Sequence, residues 1–186
     1  MEKGIVRRVV NRVLGKLARV APGATSLRPW LHKLRGVQIN GHVFIGDDVY
    51  LENEFPECVR LEDGAQINLR STIIAHTRGS GQVVIEKNVL VGACSVIIGP
   101  VDATLTIGDG SVIGAGSIIT TNVPPQTLVG PEKMKTYARV TVPFTMTTSY
   151  LDFRKGLRPV NVAEKPAKSP TGATPTSPAT KPADGE

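Results

Sequence analysis

Large aliphatic residues return every six positions through the middle of this chain. They fall in four triplets: Ile39, Ile45, Leu51; Leu61, Ile67, Ile73; Ile85, Val91, Ile97; and Ile107, Ile113, Ile119. A period of six matches neither a helix nor a simple alternating strand. Four residues after most of these aliphatics comes a small or β-branched side chain: Val43, Val49, Ala65, Ser71, Thr77, Val89, Ser95, Val101, Ser111, Ser117 and Val123, with Phe55 as the exception. That position lies two before the next aliphatic, so the two point to the same side of a short strand. Gly, Asp, Asn or Glu often follows the aliphatic, as in Ile45-Gly46-Asp47-Asp48 and Ile107-Gly108-Asp109-Gly110, and such residues supply tight corners.

Three strands and three corners make a triangular coil, and coils stack at the ordinary inter-strand spacing of about 4.8 Å. Stacking aligns Ile39, Leu61, Ile85 and Ile107 on a first face. Ile45, Ile67, Val91 and Ile113 line a second, and Leu51, Ile73, Ile97 and Ile119 a third. Between triplets the step lengthens to ten, twelve and ten residues, so every insertion falls at the corner that leads from the third face back to the first. Insertions confined to one corner of a repeat build its binding surface. The expected fold is all-β: a parallel β-helix of about four triangular coils over 37–140. The low aromatic content, 4%, agrees with a core of Val, Ile, Leu and Ala.

The flanks differ from this core. Residues 1–36 carry nine Lys/Arg against one Glu, residues 37–160 carry ten against twelve acidic residues, and the last 26 carry three of each. The net charge of +6 therefore belongs to the first segment, and the main domain offers no basic surface for a nucleic acid. In that segment Ile5, Val6, Val9, Val10, Val13, Leu14 and Leu17 recur at helical spacing. Arg7, Arg8, Arg12, Lys16 and Arg19 fall between them, and Pro22-Gly23 ends the run. This predicts a basic amphipathic helix. Two uses are open to its stripe: packing on its own domain or a neighbouring subunit, or peripheral contact of residues 1–20 with an anionic membrane. No stretch of 18 uninterrupted apolar residues exists to cross a bilayer. Arginines interrupt the apolar run that a secretory leader would need. Residues 141–160 read as a C-terminal extension, and 161–186, rich in Pro, Ala and Thr, as a disordered tail. Two cysteines, Cys58 and Cys94, suit a reducing compartment, so the expected location is cytoplasmic.

Three segments carry a resemblance: Val91–Pro100 (VGACSVIIGP), Ile107–Pro125 (IGDGSVIGAGSIITTNVPP) and Leu128–Pro131 (LVGP). Over roughly 36–139 the chain resembles the hexapeptide-repeat acyltransferases, in particular the O-acetyltransferases acting on sugars and serine. The resemblance implies a left-handed prism, a homotrimer, and acetyl-CoA as donor for a hydroxyl on a sugar or glycolipid. It also implies a catalytic histidine at the place occupied by His76. The residues point the same way, because His76 opens the longest insertion, at the binding corner. An acyl thioester is already activated, so the acceptor hydroxyl mainly has to lose its proton, a task suited to an imidazole. His32 lies in the N-terminal segment, and His42 reads as an ordinary corner residue.

For the donor, close approach of the pantetheine arm calls for small residues, and Gly92, Ala93, Gly114, Ala115 and Gly116 supply them; the same residues also suit plain corners. Thr120, Thr121, Lys133, Lys135 and Arg139 are candidates for the phosphates and adenine. The sugar acetyltransferases usually have Thr-Lys-Asp where this chain has Thr120-Thr121-Asn122, and Asn-Pro-Ala-Lys/Arg where it has Pro131-Glu132-Lys133. Asn53 and Glu54, one coil before His76 at the same corner, are acceptor candidates. Cys94 reads as a small packed residue. Zinc-dependent hydration on a similar prism needs three histidines around one metal, and only His42 and His76 lie in the prism, so no metal is expected. The reading from another class is a non-catalytic trimeric scaffold tethered by its basic helix.

Overall fold

The computed structural model describes residues 4–76, 81–131 and 136–160. Contacts divide the chain into two compact units, 1–132 and 133–186. The first contains a parallel β-solenoid with three faces. Strands Gln38–Ile39, Val59–Leu61, Gln82–Ile85 and Thr104–Ile107 stack on the first face. Phe44–Ile45, Gln66–Ile67, Leu90–Val91, Val112–Ile113 and Leu128–Val129 form the second, and Tyr50–Leu51, Thr72–Ile74, Val96–Ile98 and Ile118–Ile119 the third. The register is the one the repeat predicts: Ile39 aligns with Leu61, Ile45 with Ile67, Leu51 with Ile73, and so on through the coils.

The stacked aliphatics are buried, Ile119 of the last coil only partly, and the small residues between them complete the core. Ser71, Ser95, Ser111 and Ser117 are buried too, and their hydroxyls donate to backbone carbonyls, Ser71 Oγ to Gly92 at 3.0 Å and Ser95 Oγ to Gly114 at 3.1 Å. A buried hydroxyl is tolerated because it is paired. Two positions depart from the pattern. Val101 is exposed, because the insertion after the third coil carries it out into a turn. Thr77 lies outside the described residues. After Ile119 the step shortens to four. Val123 bridges back to Ile107 and Val129 pairs with Ile113, which starts a fifth coil that the triplets did not announce.

The corners between the second and third faces are turned by a residue in the left-handed region: Asp48, Arg70, Cys94 and Gly116, with φ of 55°, 55°, 59° and 73°. Cys94 is therefore an exposed corner residue, which corrects its reading as a packed one. Its N–H donates to the Leu69 carbonyl of the coil before, at 2.9 Å, and this bond sets its place.

Helix α1 (Ile5–Val20) and helix α2 (Leu27–Arg35) pack together and against the first coil. Arg28 donates to Asp47 and, at 3.1 Å, to the Ile45 carbonyl; Arg19 Nε donates to Asp48 at 2.8 Å. The expected helix is present, but it turns its stripe away from its own prism. The residues of α1 that face inward are Asn11, Gly15 and Ala18, while Ile5, Val6, Val9, Val10, Val13 and Leu17 are exposed. Burial of that stripe on its own domain is thereby excluded.

In the second unit, Ala138–Val140 pairs antiparallel with Leu157–Pro159. Helix α3 (Tyr150–Lys155) lies between them in sequence, and Ser149 caps it by accepting from the Asp152 N–H. The expected tail, 161–186, lies outside the described residues.

Candidate active site

The corner from the third face to the first gathers the residues with chemical potential. In the first coil the chain leaves Leu51, runs through Glu52, Asn53, Glu54 and Phe55, and makes a 3-10 turn at Pro56–Cys58 before the next strand. In the second coil it leaves Ile74 and reaches His76; Thr77–Ser80, the body of that insertion, lie outside the described residues. Stacking sets the two stretches one above the other, since Leu51 pairs with Ile73.

His76 is partly exposed, 28% at the side chain, and meets two residues of the coil before. Its ring packs against Phe55 with centroids 4.5 Å apart and planes tilted by 57°, and its Nδ1 stands 4.0 Å from Glu52 Oε2. That separation is too long for a hydrogen bond but close for an ion pair. Glu52 is 6% exposed at the side chain, and its other oxygen accepts from the Glu54 N–H at 2.9 Å. A buried carboxylate needs compensating charge, and Arg35 of α2 provides it. Arg35 is itself buried, donates to the Leu51 carbonyl and to Asn53 Oδ1 at 2.7 Å, and is coupled electrostatically to Glu52. Burial lowers its guanidinium to about 10. The Tyr50 phenol is pushed above its ordinary range by burial and then by the charge of Glu52.

Arg8, Arg12, Tyr50, Glu52, Asn53 and Glu54 line a cleft of about 130 Å³ that reaches Glu52 but not the His76 ring. The acceptor candidates Asn53 and Glu54 thus stand at the site, though neither side chain is idle: Asn53 accepts from Arg35, and Glu54 pairs with Arg8 at 3.4 Å. Gly15 lets α1 come this close, because a Cβ there would stand 2.6 Å from Asn53 Oδ1 and 3.1 Å from Arg35 Nη1.

The donor candidates do not gather here. Gly92, Ala93, Gly114, Ala115 and Gly116 occupy the corner between the second and third faces, at the far edge of the face that ends in His76. A Cβ on Gly92 would sit 2.5 Å from Ala115 N, so the approach of the next coil accounts for that glycine. Ala115 and Gly116 are exposed, and nothing lies within 4 Å of where a Gly116 Cβ would point. This open ledge could receive an extended arm. Thr120 and Thr121 are exposed on the His76 corner, two coils further along. Lys133 and Lys135 lie outside the described residues, and Arg139 is exposed in the second unit. His42 is exposed at a different corner, between the first and second faces.

Sequence reasoning missed Glu52, Phe55 and Arg35. One signal was present: Phe55 stands where the repeat calls for a small residue, and it does so because it leaves the core to cover His76.

No family model matches the chain. The bifunctional protein GlmU of Acinetobacter baylyi is 35% identical over 122 residues, which are 63% of this chain and 25% of that protein. The chain thus spans about a quarter of the length of this relative. YvoF of Bacillus subtilis, provisionally named an acetyltransferase, is 29% identical over 137 residues, 68% of this chain and 74% of that one. A solved galactoside acetyltransferase in complex with coenzyme A superposes with a TM-score of 0.45 at 20% identity, covering 68% of this chain and 76% of that one.

Proposed function

We propose, on the premise that this chain is a hexapeptide-repeat protein of the acyltransferase type, that it moves an acetyl group from a CoA thioester to a hydroxyl of a sugar or glycolipid. The observation that carries the reading is the half-open imidazole of His76, with the buried Glu52 carboxylate 4.0 Å from Nδ1 and Phe55 against its ring. Glu52 faces Nδ1 from 4.0 Å, and Nε2 is the nitrogen assigned to the acceptor. The acceptor oxygen attacks the thioester carbonyl carbon while its proton passes to Nε2. The C–S bond then breaks, and the proton goes on to the leaving thiolate, giving an ester and free CoA. Glu52 stabilises the imidazolium formed between these steps. A positioned base of this kind contributes about 10²–10⁴-fold.

The donor arm would lie on the ledge at Ala115 and Gly116. Within one chain that ledge and His76 are separated by the width of the third face, about 17 Å for five residues of extended strand. A groove between two prisms, with the ledge of one beside the histidine of the next, removes the gap. The reading therefore includes a homotrimer. The apolar residues on the outsides of the second and third faces support it: Val96, Val112, Ile118 and Leu128, the last two 71% and 75% exposed. A cytoplasmic location goes with this reading.

His76→Ala is the test. CoA release with candidate sugar acceptors should fall by about 10²-fold or more, with the melting temperature nearly unchanged, because the side chain adds little to the core. Near-normal turnover with the true acceptor would overturn the assignment. Light scattering should give the mass of three chains, and the mass of one chain at micromolar concentration would remove the trimer.

A further inference from the structure

At about 100° per residue, Asn11, Gly15 and Ala18 fall on one side of α1 and Val6, Val9, Val13, Leu17 and Val20 on the other. The first set is buried against α2 and the first coil. The second is open to solvent, Val13 at 52% and Val20 at 78%. Helix α2 repeats the arrangement, with Leu31, His32 and Arg35 inward and Leu27, Trp30 and Leu34 exposed. A helix that has already satisfied its packing face and still presents a continuous apolar stripe has a second surface to cover. Along one flank of the stripe stand Arg12 and Lys16, with Lys33 on α2, all exposed, and neither helix carries an acidic side chain. Among the described residues no helix is long and apolar enough to cross a membrane.

We infer that the outer surface of α1 lies on an anionic bilayer, with its Ile/Val/Leu stripe at the level of the acyl chains and its basic flank among the headgroups. Charge selects this occupant. A second copy of the same face would bring cation against cation, whereas an anionic surface complements it. Arg8 and Arg12 also wall the cleft beside Glu52, so the bilayer comes to rest next to the candidate active site. A lipid-borne acceptor is the substrate class that this placement serves, and that last step rests on the acyltransferase reading.

Flotation of the full chain with phosphatidylcholine vesicles, with and without phosphatidylglycerol, tests the docking without CoA or acceptor, so its failure leaves the chemistry untouched. The protein should float with the anionic vesicles only. Lys16→Gln should lower the partition coefficient about fivefold and high salt should remove most of it, while Val13→Asp should abolish it. These two side chains lie outside the cleft beside Glu52, so transfer to a soluble acceptor should be unchanged. Failure to float, or binding indifferent to lipid charge and to salt, overturns the inference. So does light scattering in which Val13→Asp dissociates the assembly without lipid, which would make the stripe an interface between copies. If docking holds and a lipid-borne acceptor gains no rate over its soluble headgroup, the acceptor step alone falls.

Discussion

The solenoid and the helical pair that closes its first coil bury opposite kinds of residue. Inside the prism the buried groups are aliphatic, apart from serines whose hydroxyls bond to the backbone. Under the helices the buried groups include Asn11, Arg28, His32 and Arg35, while seven large aliphatics of α1 face outward. The difference lies in what each surface meets. A prism interior offers only the inward side chains of its own strands. The open end of the first coil offers carbonyls at Ile45 and Leu51 and carboxylates at Asp47 and Asp48, and only polar side chains can satisfy them.

Truncation should separate the two regions most sharply. Ile67→Ala empties a site in the middle of the core and should cost about 2–5 kcal/mol. Val13→Ala, on the outward stripe, should change stability by less than about 0.5 kcal/mol. Urea midpoints at constant slope would measure both, and a large loss at Val13 would mean that the stripe is covered in the folded protein.

Acid should act on the helical side. Burial, and then the charge of Arg35, lowers the His32 imidazole from 6.5 to about 3. Its Nδ1 accepts from Arg35 Nε at 3.0 Å, and its Nε2 finds no partner among the described residues. Below pH 6.5 the unfolded chain takes up this proton and the folded chain does not. Stability from this group is therefore complete above 6.5 and falls as pH drops toward 3, by up to about 1.4 kcal/mol per unit. His32→Gln should flatten that part of the stability–pH curve, and an unchanged slope would show that another group governs it.

A modest effect of the opposite sign is expected at Asn11. It is fully buried, and neither polar atom of its side chain has a partner among the described residues. Asn11→Ala removes unpaired polar atoms and raises helix propensity, so a gain of about 1 kcal/mol is expected. A loss of that size would reveal a bonded partner, such as an ordered water, for the amide.

The candidate site was legible in part. His76 could be read because it opens the longest break in a regular period, and Asn53 and Glu54 because they share its corner. Glu52 and Arg35 could not. Glu52 is 24 positions from His76 and reaches it only because the coils stack, and Arg35 belongs to a helix with no repeat to index it. The donor candidates were legible as small residues. The face on which each would lie follows from the register, yet their separation from His76 emerges only in three dimensions.

The six-residue period determined the strands, the faces, the register and the corner that carries the insertions, because each follows from local spacing repeated at constant stagger. The direction of α1 was decided elsewhere. Amphipathic spacing says that a helix has two unlike sides, and by itself favours the apolar one as the buried side. Here the surface available for packing was an edge of carbonyls and carboxylates. Gly15 admits the Arg35–Asn53 pair, Arg19 donates to Asp48 on that edge, and the aliphatic stripe was left outside. Which side of a helix is buried depends on the chemistry of what it meets, and that partner exists only once the first coil has formed.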